Sequence, residues 1–297
     1  MKSKLKLLLA ASVFFAALMI VSCKKESSTQ TSTVTDSDAQ TISQENADAD
    51  IQDNDVTEIG LSTSADLDGQ TGNRVATTGS NERLIDVTLF ADLAFKIGPC
   101  TKVTVVPNDT TFPKTITIDF GDGCVCRDGK FRKGSIVLNF SAPLRHPGAV
   151  LTITLNNFYV NRVHLEGTKT ITNESDTSAH KLSIQVTDGK ATWPSGRGFS
   201  YNSEKVITQI QGMDTRTCRD DVYSIEGRSE VKYANGTVVV KNTETPLIKP
   251  VACDWIVQGI LKVQINSRVF EINFGDGTCD NKATLKWAGG EITIILP

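Results

Sequence analysis

Across 297 residues, 31 Lys and Arg stand against 34 Asp and Glu, a formal net charge of −3. Basic residues so few and so scattered exclude a protein that holds nucleic acid by a cationic surface. The length allows a signal segment, a spacer and one large domain or two small ones.

The chain opens on "MKSKLKLLLAASVFFAALMIVSC", with Lys2, Lys4 and Lys6 ahead of an uncharged run from Leu7 to Val21. That is the pattern of a secretory signal, too short to span a bilayer comfortably. It ends in Ile20-Val21-Ser22-Cys23, which resembles a bacterial lipobox. The resemblance implies that the Cys23 thiol takes a diacylglycerol, that residues 1–22 are removed, and that acyl chains such as palmitate hold the mature chain on a bilayer, each buried CH2 contributing about 0.8 kcal/mol. The following residue is Lys24, not the Asp that resembles an inner-membrane retention signal in Gram-negative lipoproteins. The resemblance therefore implies the outer membrane, on its periplasmic face or at the cell surface.

From residue 23 to residue 80 the sequence is polar and lacks aromatic residues. Between Asp36 and Asp68 it carries ten acids and neither Lys nor Arg. Such a stretch buries too little apolar surface to offset its ordering entropy and repels itself, so it is expected to be a disordered, extended tether with at most a short helix around 47–61. An EF-hand reading of "DADIQDNDVTE" (48–58) fails because the sixth position is Asp53 where the loop needs Gly.

Residues 81–297 read as β structure. Period-two alternation appears in Ile116/Ile118/Phe120, Ile136/Leu138/Phe140, Leu151/Ile153/Leu155 and Ile292/Ile294/Leu296. Two hairpins are expected. In "LSIQVTDGKATW" (182–193), Asp188-Gly189 as the turn pairs Val186 with Ala191. In "KYANGTVVV" (232–240), Asn235-Gly236 as a type I′ turn pairs Tyr233 with Val238 and Glu230 with Lys241. A one-sided sheet must pack on another or curl around its own apolar face. The expected fold is therefore all-β: about a dozen antiparallel strands in a β-sandwich or a strongly curled sheet, with a C-terminal strand that is paired.

"DFGDGCVC" (119–126) and "NFGDGTCD" (273–280) repeat one motif at the end of an alternating strand, which allows two related halves. Gly121, Asp122, Gly123 and Gly275, Asp276, Gly277 read as structural turns, because glycine reaches positive φ and Asp accepts backbone N–H bonds. The competing reading makes Asp119, Asp122 and Asp276 metal or acid/base carboxylates, but Asn273 replaces the first Asp in the second copy and neither copy brings a His. Beyond Cys23 there are six cysteines. Cys253 precedes Cys279 by 26 residues, and Cys100 precedes Cys124 and Cys126 by 24 and 26. In an exported chain these spacings imply disulfides joining Cys253 with Cys279, Cys100 with Cys124 or Cys126, and Cys218 with whichever remains. A Cys-Val-Cys zinc site fits poorly, since structural zinc prefers Cys-x2-Cys with a second pair. Neither metal nor cofactor is expected.

Nucleophile elbows, zincin helices, phosphate loops and dinucleotide fingerprints do not occur in this sequence. His146, His164 and His180 form no ligand-spaced pair. Asp220-Asp221 could serve a glycan hydrolase only with a second carboxylate brought across a cleft. Trp193, Trp255, Trp287 and Tyr159 are the residues from which a glycan-binding platform could be built, Trp193 being first a core residue.

The order of lipobox, acidic spacer, "TITIDFGDGC" (115–124), "NNFYVNRVHLEGTKTITN" (156–173) and "FGDGTCDNKATL" (274–285) resembles a family of outer-membrane and surface lipoproteins of Gram-negative bacteria, for which no activity is known. The resemblance covers most of the chain beyond the spacer and implies no catalytic residue. The expectation is a non-catalytic envelope lipoprotein whose β domain is a structural, adhesive or ligand-binding module. Its partners would be the membrane, through the lipid, and a surface ligand or glycan. A carboxylate-dependent hydrolase is the enzymatic alternative.

Overall fold

The computed structural model describes residues 36–70, 83–85, 93, 96–177, 179–213, 220–253 and 255–296. The expected signal segment, Cys23 and Cys218 lie outside the described residues. One helix, α1 (Asp36–Gln70), precedes fifteen strands. These are β1 (Arg83–Ile85), β2 (Lys102–Val106), β3 (Lys114–Asp119), β4 (Cys124–Val125), β5 (Phe131–Phe140), β6 (Val150–Val160), β7 (Val163–Asn173) and β8 (Lys181–Thr192). They continue as β9 (Gly198–Gln211), β10 (Val222–Tyr233), β11 (Val238–Pro250), β12 (Gln258–Ile265), β13 (Arg268–Asp276), β14 (Lys282–Trp287) and β15 (Gly290–Ile295).

All strands belong to one antiparallel sheet that follows chain order, with short β4 set aside against β5, and β1 and β15 forming its two open edges. Alternation puts one face inward, and successive registers join that face into rows. One row runs from Val105 through Ile116, Leu138 and Ile153 to Lys169, Val186, Ser203, Ser229 and Lys241, then through Val263 and Phe270 to Trp287. Its start and end are apolar, whereas its middle, on β7 to β11, is mostly basic or hydroxylic.

The sheet curls around α1. Asp50 of the helix pairs with Lys241 on β11, and Asp55 pairs with Arg132 on β5. Those strands are six steps apart in the sheet, about 29 Å if it were flat, while five residues of helix rise about 7.5 Å. Curvature takes up the difference, and α1 fills the resulting trough. A first core contains Val56 and Ile59 of α1 with Ile116, Ile118, Leu138, Leu151 and Ile153 of the sheet, all at most 1% exposed. A smaller second core, Leu247, Phe274 and Ala283, lies under β11 to β14.

The expected extended tether is corrected over residues 36–70, which form a single packed helix. Five of its acids, Glu45, Asp50, Asp53, Asp55 and Glu58, pair with cations from the rest of the fold, which offsets the self-repulsion expected of them.

Two local expectations also change. Asp188-Gly189 makes no hairpin: β8 runs through it, with Val186 against Lys169 and Ser203 and Ala191 against Leu165 and Phe199. Asp188 has φ of 53° and the pairing register shifts there, so the pair is a bulge. The Tyr201 ring lies over it, 2.7 Å from where a Cβ on Gly189 would stand. The Asn235-Gly236 hairpin exists, but its register is shifted by one residue. Tyr233 N–H donates to the Thr237 carbonyl, Val231 faces Val239, and Ser229 rather than Glu230 faces Lys241. Only Gly236 takes positive φ, while Asn235 Oδ1 accepts the Thr237 N–H at 3.0 Å, giving a three-residue loop in place of the type I′ turn. The slip turns Lys241 inward, toward α1.

Candidate functional site

The trough floor beneath α1 gathers the charged and aromatic side chains of this fold. Along the helix, Ile42, Asn46, Ala49, Gln52, Val56, Ile59, Thr63 and Leu67 are all buried. Spacings of three and four put them on one face, toward the sheet. Three of the eight are polar.

Acids flank that buried stripe and meet cations from the sheet. Arg132 has no solvent exposure; its Nε donates to Asp55 Oδ2 at 2.9 Å and its Nη2 to Asp55 Oδ1 at 2.7 Å. Its Nη1 and Nη2 also donate to Asp128, at 3.0 and 2.6 Å. A guanidinium so enclosed is stable only with such a complete set of acceptors. Lys169 Nζ donates to Thr57 Oγ1 and to the Asp53 carbonyl, each at 2.6 Å, and pairs with the Asp53 carboxylate at 3.0 Å. Burial lowers its pKa, against the pull of Asp53. Tyr201 donates to the same Asp53 carboxylate at 3.1 Å; burial and then that carboxylate push its phenol well up.

Under the N-terminal half of α1 the floor is aromatic and basic. Trp193 Nε1 donates to Asp48 at 2.9 Å, and Arg197 grips Glu45 through Nε at 2.6 Å and Nη2 at 3.1 Å. Asn46 donates to the Tyr233 hydroxyl at 3.0 Å, and Lys205 to Asn54 at 3.1 Å. The rings of Trp193, Tyr201 and Tyr233 each pack on Phe199, with centroids 5.2–6.0 Å away. Within this contact three buried oxygens accept no hydrogen bond: Asn46 Oδ1, Gln52 Oε1 and Ser229 Oγ. The arrangement holds the carboxylates of α1 side by side.

The sequence-predicted residues are dispersed. Cys253 and Cys279 are bonded, as are Cys100 and Cys124. Cys126 is a buried thiol whose pKa is raised by burial, partly countered by Arg132. The first FGDG copy is a turn after β3, closed by Gly123 N–H donating to the Phe120 carbonyl at 3.2 Å, whereas in the second Phe274, Gly275 and Asp276 are the last residues of β13, where its register with β12 shifts; eight strands lie between the two. In each, the residue before Phe-Gly or Phe-Gly-Asp caps it: Asp119 Oδ1 accepts Gly121 N–H and Asn273 Oδ1 accepts Gly275 N–H, both at 2.9 Å. Gly121, Gly123, Gly275 and Gly277 all have positive φ. Asp276 accepts from the Thr278 N–H and hydroxyl, which hold its carboxyl below the usual range. Among the described residues no cluster of three His, Cys, Asp or Glu is placed to hold a metal.

Trp193 faces the trough as a half-buried wall. Tyr159 lies on the opposite face of the sheet, stacked on His164 with centroids 4.4 Å apart. Trp287 ends the inward row on β14, and Trp255 is half-buried between β11 and β12. The four do not make one platform. Asp221 is buried and receives Gln209 Nε2 at 2.9 Å and the Tyr223 hydroxyl at 3.1 Å, a structural anchor. His146 and His180 are exposed.

No family profile, curated protein or solved structure matches this chain. Sequence reasoning missed Arg132, Lys169, Arg197, Lys205, Lys241 and the acids of α1. The available signal was the recurrence of Ile42, Ala49, Val56, Ile59 and Leu67 at intervals of seven, seven, three and eight, which keep one helix face, diluted by the polar members of the same stripe.

Proposed function

We propose that this protein is an envelope lipoprotein, acylated at Cys23 and held at the outer membrane, whose β domain is a non-catalytic binding or structural module. The observation that carries the anchor is the Lys-rich start, the apolar run and the Ile20-Val21-Ser22-Cys23 end in unbroken succession. The likeness to Gram-negative surface lipoproteins supports the same reading. Twelve residues, 24–35, separate Cys23 from the first residue of α1.

The non-catalytic reading is supported by where the carboxylates are spent. Asp53, Asp55, Asp128 and Asp221 each serve as a counter-ion or hydrogen-bond acceptor inside the fold. A buried trough built to hold carboxylates by cations and aromatic donors is the chemistry of binding. Cys23→Ala, expressed in a Gram-negative host, is expected to move the protein from the membrane fraction to the soluble periplasmic fraction. Continued sedimentation with membranes, or absence of an acyl adduct on the native N-terminal peptide, would refute the anchor.

A further inference from the structure

The two halves of α1 are held differently. Past Asp55 the helix is keyed into an apolar floor: Val56 and Ile59 are at most 1% exposed, Thr63 is fully buried, and a Cβ on Gly60 would stand 2.8 Å from Ile153 Cδ1. Before Gln52 the buried stripe offers one large apolar side chain, Ile42, beside Ala49 and the polar Asn46 and Gln52. The holding contacts there are charged and wet at one partner. Arg197 is 54% exposed against Glu45, and Asp50 is 57% exposed against Lys241. The unsatisfied oxygens of Asn46, Gln52 and Ser229 lie in this part of the molecule too, and water entering as the half-helix lifts would satisfy them. Lifting residues 41–52 would also return hydration to Lys241 and Arg197, offsetting the lost ion pairs.

We propose that the floor beneath residues 41–52 is a binding site for a carboxylate-bearing polypeptide segment, and that the N-terminal half of α1 is its resident, displaceable occupant. The site is the inward surface of β8 to β11 with the turn that joins β8 to β9, where Arg197 and Trp193 of the turn, Lys241 of β11 and Tyr233 of β10 present two cations, an indole N–H and a phenol to Glu45, Asp48, Asp50 and Asn46. An incoming segment is recognised by the same pattern: acids three and five residues apart on a strand or helix, laid across four strands. The complementarity of charge between an acidic helix and this basic floor identifies the occupant as an acidic polypeptide. The inference deepens the binding role proposed above and does not require the lipid.

The test uses the intact chain. Hydrogen exchange followed by mass spectrometry is measured at about 0.05 M and about 1 M NaCl, a range that strips screening-sensitive pairs. Amides of 41–52 are expected to exchange roughly tenfold or more faster at high salt while those of 56–67 and of β8 to β11 hold their protection. Loss of protection by all of α1 together, or no salt effect, overturns the proposal. A labelled peptide of residues 36–55 is then titrated onto the wild-type chain and onto the double variant E45Q/D50N, which removes one charge from each of two pairs with one exposed member, Arg197 in the first and Asp50 in the second, and whose sheet protection is checked by the same exchange. Weakening the resident occupant should tighten peptide binding about tenfold, because the competent state is more populated. Equal binding to both chains, equal binding of a composition-matched scrambled peptide, or collapse of the sheet in the variant each refutes a displaceable occupant. Failure of this test leaves the Cys23→Ala fractionation result unaffected, so the two readings fall separately.

Discussion

Asp55 and Arg132, 77 positions apart, form a two-point ion pair in which neither side chain has any solvent exposure. The pair ties the only described helix to the fifth strand. Asp55→Ala leaves a buried guanidinium with Asp128 as its remaining carboxylate partner. Removing one member of such a pair costs about 3–5 kcal/mol, so the urea midpoint should fall strongly with an unchanged slope. A loss below about 1 kcal/mol would mean that water reaches Arg132 and that the pair is not a structural tie.

Two glycines of similar φ separate backbone strain from steric exclusion. Gly134 has φ of 82° and a Cβ there would stand 2.1 Å from the Asn157 carbonyl oxygen, whereas Gly236 has φ of 84° and open space around it. Gly236→Ala should cost about 1 kcal/mol, the conformational penalty alone. Gly134→Ala adds a backbone collision at the bulge between β5 and β6 and should cost several-fold more. Equal midpoints in thermal unfolding would show that the bulge relaxes freely.

These features mark how far the sequence could be read. Alternation in Ile136/Leu138/Phe140 and Leu151/Ile153/Leu155 identified inward faces because half-buried strands need one apolar side. The spacing of Cys253 and Cys279 pointed to their bond because a shared turn motif set the frame. The helix was hidden for a physical reason. Its buried stripe mixes Asn46, Gln52 and Thr63 with Ile42, Val56 and Ile59, since the floor opposite is itself polar in the middle of the sheet. Ten acids read in isolation signal repulsion; the cations that pair with five of them lie more than 35 residues away in the chain, up to 191 for Asp50 and Lys241. Pairings of that separation follow from strand order and register, and one slipped hairpin register is enough to point Lys241 at the wrong face.

The two disulfides should contribute additively, because they close separate loops of 24 and 26 residues near opposite ends of the sheet. Chain-entropy reasoning gives about 3 kcal/mol for each. Replacing Cys253 and Cys279 with Ala should destabilise the fold by about that amount, and Cys100 with Cys124 likewise. The buried Cys126 thiol, with its raised pKa, should react with iodoacetamide in the denatured chain far faster than in the native one. Strong coupling in the fourfold alanine variant would indicate that the ends of the sheet report on each other.

Tyr201 gives the fold an alkaline limit with a definite sign. Burial, reinforced by Asp53, raises its folded pKa well above the ordinary phenol value of about 10, so above pH 10 the unfolded chain has lost a phenolic proton that the folded chain keeps. Stability changes with pH in proportion to protons bound in the unfolded state minus those in the native state. That difference is negative here. The contribution is therefore complete below pH 10 and is lost as pH rises toward the folded pKa. Lys169, beside the same carboxylate, is shifted the other way: burial lowers its folded pKa below 10.5, so its own contribution rises with pH up to that value. Comparing the wild type with Tyr201→Phe largely cancels the lysine. At neutral pH the variant should be modestly less stable, by about 1 kcal/mol for the lost hydrogen bond to Asp53. Between pH 10 and pH 11.5 its denaturant midpoint should fall less steeply than that of the wild type, and the two curves should converge. Parallel curves across that interval would mean that Tyr201 ionises in the folded protein as freely as in the unfolded one, and that the trough floor under Asp53 is open to water.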